Sequence, residues 1–148
     1  MFATAILSVS VLAAASVEVS AVQAPDSPVR LEHTTILTAA PDAPPVLLYA
    51  ATNVTDTPID EFTVIVYVFR EGMLKARQVA PGRRTLDARG TKYSAMVLDG
   101  FPIEPTDTIV AGVNQAQRVG SDAWWRAELG EAAQAAIAAK RPKEERRR

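Results

Sequence analysis

His33 is the only imidazole in the chain, and there is no cysteine. A zinc or copper centre needs three or four nitrogen or sulfur ligands at fixed geometry, so these metals are not expected. His33 lies between Leu31 and Thr35 in an alternating run and reads as a strand residue hydrogen-bonded locally. Ser94, in Tyr93-Ser94-Ala95, lacks the glycine-flanked turn of a serine nucleophile. Two groups of carboxylates remain, Asp56, Asp60 and Glu61, and Glu104 and Asp107. Facing pairs of such groups run glycoside hydrolysis when about 5–10 Å apart. The first group flanks Pro58, a usual place for turn-forming aspartates, and its spacing is not that of a calcium loop. The seven glycines form no phosphate-binding loop. No catalytic residue, metal or cofactor is expected.

Two features point to contact with a partner. Arg70, Lys75, Arg77, Arg83, Arg84, Arg89 and Lys92 face only Glu71 and Asp87 over residues 70–92. Such a segment can meet an acidic protein or an anionic glycan, or can be the charged rim that keeps sheet edges apart. Trp124 and Trp125 can stack on a sugar or fill a core, and the reading favours core. Arg70, Lys75, Arg77, Arg83, Arg84 and Trp124 are therefore the candidate contact residues. The partner is an unknown protein or glycan, and no nucleic acid is expected.

The positioning elements follow from composition and pattern. The chain has 148 residues, 48% hydrophobic and 22% charged, with a formal net charge of −1. That size suits one domain with an ordinary core. Strand-like runs occur at Val29–Leu37, Val46–Val54, Glu61–Phe69, Met73–Ala80, Thr91–Leu98 and from Thr108 toward Gln117. Prolines at 41, 44, 45, 58, 81, 102 and 105 exclude long helices there. Arg70-Glu71-Gly72 reads as a hairpin loop, Pro81-Gly82 as a turn and 99–107 as a longer crossing. The pattern predicts a mainly β fold, an immunoglobulin-like two-sheet sandwich of six or seven strands over 25–120, with a closed barrel as the alternative.

In the run Glu61–Phe69, Phe62, Val64, Val66 and Val68 share one face, and Thr63, Ile65, Tyr67 and Phe69 share the other. Both faces are apolar, so both must be covered. The second cover is assigned to a C-terminal helix over 121–140, capped by Ser121 or Asp122. Trp125, Leu129, Ala132, Ala133, Ala136 and Ile137 lie on its buried stripe.

The ends give an address. The first 17 residues carry no charge, and the apolar run Phe2–Ala15 precedes small residues up to Ala24. This is the pattern of a signal peptide over 1–24, cut after Ala21 or Ala24, without a basic residue before the apolar run. Residues 141–148 form a basic tail expected to be disordered. Membrane contact is expected only through the N-terminus or this tail.

Residues 53–85 resemble the immunoglobulin-like modules of bacterial exported proteins, including the FxLYD type. The resemblance rests on Asn53-Val54-Thr55, Pro58-Ile59, the alternation Val64-Val66-Val68, Phe69-Arg70-Glu71-Gly72 and Pro81-Gly82. Arg70 departs from the pattern, which has Asp after its aromatic residue. The resemblance implies a non-enzymatic, extracytoplasmic β-sandwich, and it transfers no ligand or catalytic residue. The expected function is thus an exported protein-binding or structural module, periplasmic or extracellular. The alternatives are a carbohydrate-binding module using Trp124 or Trp125, a small hydrolase using the loop carboxylates, and a membrane-apposed protein held by its N-terminus and tail.

Overall fold

The computed structural model describes residues 17–38 and 42–140. Eight strands are followed by one helix: β1 (Glu18–Ala21), β2 (Val29–Leu37), β3 (Val46–Asn53), β4 (Ile59–Arg70), β5 (Met73–Pro81), β6 (Thr91–Val97), β7 (Thr108–Arg118), β8 (Trp124–Arg126) and α1 (Gly130–Ala139). One sheet has the order β1-β7-β4-β5, with β8 also on β7; the other has the order β2-β3-β6. The protein is a mainly β two-sheet sandwich.

Alternation along the strands builds the core between the sheets. Phe62, Val64, Val66 and Val68 from β4 and Ile109, Ala111 and Val113 from β7 meet Leu31, Leu47, Tyr49 and Met96 from the other sheet. The opposite face of β4 builds a second core. Ile65, Tyr67 and Phe69, with Val110 of β7, pack under Leu129, Ala133 and Ile137. The two-faced β4 expected from sequence is what the structure contains, with a sheet over one face and a helix over the other.

The turns have local causes. Glu71 and Gly72 both take positive φ, 53° and 78°, and Arg70 pairs directly with Met73. This is the two-residue loop whose twist matches the flanking strands. At Gly82 an added Cβ would lie 2.1 Å from the Phe62 ring, and the Gly82 N–H donates to the Phe62 carbonyl at 2.9 Å. Only a residue without a side chain lets the 81–82 turn close over that ring.

Six strands, β2 to β7, lie within 25–120 as expected, and among the described residues β1 and β8 flank them. The helix expectation is corrected. The expected helix over 121–140 is shorter: Trp124 and Trp125 form β8, and α1 begins at Gly130. Ser121 accepts a hydrogen bond from the Ala123 N–H at 3.2 Å and caps no helix. The reason is a vacancy on β7. β1 pairs β7 only from Thr108 to Ala111, and the Trp-Trp-Arg segment pairs the stretch from Gln115 to Gln117. Aromatic residues suit a strand better than a first helical turn. The buried stripe of α1 is therefore narrower than expected: Ala133 and Ile137 are buried, and Ala132 is exposed.

Residues 17–24, read from sequence as part of a signal peptide, lie against the sandwich. Val17 is buried, Glu18–Ala21 is a parallel partner of β7, and the Val22 N–H donates to Ala111 at 2.9 Å. A cut after Ala21 or Ala24 would remove a strand of the sandwich. The apolar run Phe2–Ala15 and the basic tail 141–148 lie outside the described residues. Among the described residues no helix is long and apolar enough to cross a membrane.

Candidate functional site

The candidate residues divide into those held by the fold and those left free. Arg70 ends β4 beside the 99–107 crossing. Its Nε donates to Asp107 Oδ1 at 2.9 Å and its Nη2 to Oδ2 at 3.0 Å, a two-pronged pair. It also donates to the Pro102 carbonyl at 3.3 Å, lies 3.5 Å from the Glu104 carboxylate and sits 5.1 Å from the centre of the Phe101 ring. The Glu104 N–H donates to Asp107 Oδ2 at 2.8 Å. Arg70 is therefore the pin that fastens the 99–107 crossing to β4, rather than a free contact.

The Asp107 side chain is 0% exposed. Burial alone pushes its carboxyl up, but the Arg70 hydrogen bonds, the Glu104 N–H and the Arg70 charge outweigh this and hold it below the ordinary carboxylate value. A carboxyl lowered on folding adds stability above its unfolded value, and that stability is lost as pH falls through the folded value. Asp107→Asn is expected to lower stability by about 2 kcal/mol at neutral pH, the scale of hydrogen bonds to a charged group. It is also expected to flatten the acid limb of stability against pH. Urea midpoints measured from neutral to acid pH check both; a variant with the parent's midpoint and parallel acid loss contradicts them.

The other carboxylates are likewise held by arginines. Arg84 Nη2 lies 3.2 Å from Asp60 Oδ2 and 2.8 Å from Glu61 Oε1. Arg89 Nε lies 3.0 Å from Asp56 Oδ1, and its hydrogen bond, then its charge, lowers the Asp56 pKa. A glycosidase acid needs a raised pKa, the opposite condition. Among the described residues no group of three or more His, Asp and Glu side chains is placed to hold a metal ion. His33 is exposed at a bulge in β2 with φ of 52°.

The tryptophans are half-buried. Trp125, opposite Ala116 on β7, packs against the inter-sheet core, and its buried Nε1 has no hydrogen-bond partner among the described residues. Its ring is not a free platform. Trp124 stands opposite Gln117 nearer the strand end.

Sequence reasoning missed Asn53, which it met only as the first residue of a glycosylation-like triplet. Asn53 is 0% exposed. Its Nδ2 donates to the carbonyls of Thr57 at 2.9 Å, Asp87 at 3.2 Å and Leu86 at 3.4 Å. Its Oδ1 accepts from the Thr55 N–H at 3.0 Å and the Thr55 hydroxyl at 2.7 Å. The amide ties the 54–58 turn to the 86–87 segment, and both its donors and its acceptor are in use. The Asn-x-Thr spacing was the visible signal, since it lets Thr55 reach back to Asn53.

The remaining candidates lie on or near β5. Lys75 and Arg77 are exposed and, among the described residues, in no ion pair. β5 ends its sheet and, among the described residues, has no strand on its far side. Lys75, Arg77, Leu74, Tyr67 and Glu128 line an open groove of about 380 Å³. Glu128 accepts from the Gly130 N–H at 3.0 Å and stands 3.5 Å from the Tyr67 hydroxyl. Burial first, then Glu128, raises the Tyr67 pKa. Arg83 donates to the Tyr93 carbonyl at 3.3 Å, on the exposed edge of β6. Of the six candidates, the structure thus groups Lys75 and Arg77 and separates Arg70, Arg83, Arg84 and Trp124 from them.

The fold is that of a small β-sandwich with a helix on one outer face. Compared with protein-family models, curated proteins and solved structures, the chain matches none of them.

Proposed function

We propose that this chain is a non-enzymatic, exported binding module that takes an acidic extended partner along β5. One observation carries the reading: among the described residues Lys75 and Arg77 stand unpaired on a nine-residue edge strand, while Arg70, Arg84 and Arg89 are each held by a carboxylate of the chain. An edge strand offers a row of main-chain donors and acceptors to an added strand, and alternate side chains select the partner. Exposed Met73 and Val79 on the same strand add apolar contact. The resemblance of residues 53–85 to immunoglobulin-like modules of exported proteins supports the absence of catalysis and the extracytoplasmic address. The uncharged apolar run Phe2–Ala15, followed by small residues, supports export.

The test is binding of polyglutamate and of heparin to the full chain at low and high salt. Lys75→Glu with Arg77→Glu is expected to weaken binding at least tenfold at low salt, the effect of reversing two charges at one site. Arg118→Glu, at an exposed position on β7, is expected to leave it unchanged. Equal losses from both variants would point to net charge alone and remove the β5 edge as the site.

A further inference from the structure

The two sheet edges on one side of the sandwich are treated differently. β6 ends the smaller sheet and β5 the larger, and among the described residues neither has a further strand beside it. β6 is blunted by side chains from the other sheet. Gln78 Nε2 donates to the Val97 carbonyl at 2.7 Å and Arg83 Nη1 to the Tyr93 carbonyl at 3.3 Å, so two of its main-chain acceptors are taken. Among the described residues no side chain bonds the main chain of β5. The pairing of β5 with β4 fixes which way its side chains point. Leu74, Arg77 and Val79 stand opposite Phe69, Tyr67 and Ile65, on the face that carries α1. Ala76, Gln78 and Ala80 stand opposite Val68, Val66 and Val64, on the inter-sheet face. Ala76 and Ala80 pack against the core there, and Phe101 lines one small cavity with Ala76 and Gln78. The register shifts between Val68 and Phe69, which makes Lys75 an extra residue, and it lines the outer groove with Arg77. The edge of β5 is therefore cationic outside and small and mostly apolar inside.

We infer that the partner taken along β5 is a strand in which acidic and apolar residues alternate. This rests on the β5 reading above and names the pattern that the edge selects. Successive side chains of an added strand point to opposite faces. Those on the outer face meet Lys75 and Arg77, which have no carboxylate of their own among the described residues. Those on the inner face extend the inter-sheet core past Ala76 and Ala80. A carboxylate on that side would leave water with no cation of β5 to meet it, which is costly. Glu128 lines the outer groove with Lys75 and Arg77, so a dense run of acids is disfavoured there and a few spaced ones suffice. Main-chain pairing supplies the attachment, and the alternation supplies the choice of partner. A uniformly acidic chain satisfies only the outer half of the site, and a uniformly apolar one only the inner half.

Two end-blocked peptides of one composition test this on the full chain at low salt. One alternates glutamate and valine, and the other carries all its glutamates before all its valines. The alternating peptide is expected to bind about tenfold tighter or more, because its isomer must place carboxylates on the inner side. N-methylation of its main-chain amides keeps charge and pattern, and is expected to abolish the advantage. Lys75→Glu with Arg77→Glu is expected to weaken both peptides, and Tyr93→Thr, on the blunted edge of β6, to change neither. Equal affinity for the two isomers, with both weakened by the charge reversal, overturns the inference and leaves the β5 reading standing. An N-methylated peptide that binds as tightly as its parent also overturns the inference. Affinities that ignore the charge reversal, or no binding of either isomer, overturn the β5 reading and the inference with it.

Discussion

Asn53→Ala is expected to lower the free energy of unfolding by about 3–4 kcal/mol, as several buried polar groups lose their partner at once. The substitution leaves the carbonyls of Thr57, Leu86 and Asp87 and the Thr55 N–H without the amide that joins them. Water does not simply replace it, because Asn53 is fully buried between the 54–58 turn and the 86–87 segment. Asn53→Asp is a sharper probe. A carboxylate there keeps the Thr55 bonds but turns a negative oxygen toward three carbonyls. It is therefore expected to destabilise more at neutral pH than under acid conditions, where the protonated group can donate again. Urea denaturation at both pH values measures the difference. An alanine variant within about 1 kcal/mol of the parent would show that the hub is ornamental.

Leu129→Ala is expected to cost about 3 kcal/mol, the usual size for emptying a buried leucine site. Leu129 is 2% exposed and lies between the outer face of β4 and α1. Its fit is close: a Cβ on Gly112 would fall 2.7 Å from Leu129 Cδ1 and 2.8 Å from the Val22 carbonyl. Loss of the side chain loosens the helix from Ile65, Tyr67 and Phe69. Amide exchange over Gly130–Ala139 is expected to accelerate in the variant well before the strands do. If the parent's helix amides already exchange as freely as a loop, α1 is not a cover and the two-core account fails.

The sequence made the strands from β2 to β7 legible because each buries a repeating face, so that burial and alternation point the same way. Phe62 to Phe69 showed the most, since a strand apolar on both sides requires a layer on both sides. What stayed hidden depended on contacts distant in sequence. Arg70 meets Asp107 across 37 positions, and no local pattern announces that pairing. Trp124 and Trp125 sit in a helix-favouring context, and only the empty stretch of β7 draws them into a strand. Glu18–Ala21 follows an uncharged run that reads as a leader, and its identity as a strand comes from Thr108–Ala111. Of the candidate contact residues, Lys75 and Arg77 were the two whose freedom required knowing that every other nearby arginine had a carboxylate or carbonyl to hold.

The pairing of β1 with β7 has a consequence for the order of assembly. The first strand's partner lies roughly ninety positions downstream, and the Lys140–Glu18 ion pair spans 122. Contacts so far apart are closed late and slowly. Until β7 has been synthesised, β1 has no seat, and until Leu129 follows, the outer side of β4 is bare. A nascent or truncated chain therefore displays the Ile65–Tyr67–Phe69 ribbon to the solvent, and that species is the one most prone to self-association during production. Holding the chain unfolded until its last third is available protects it, and a chaperone or a threading channel does just that.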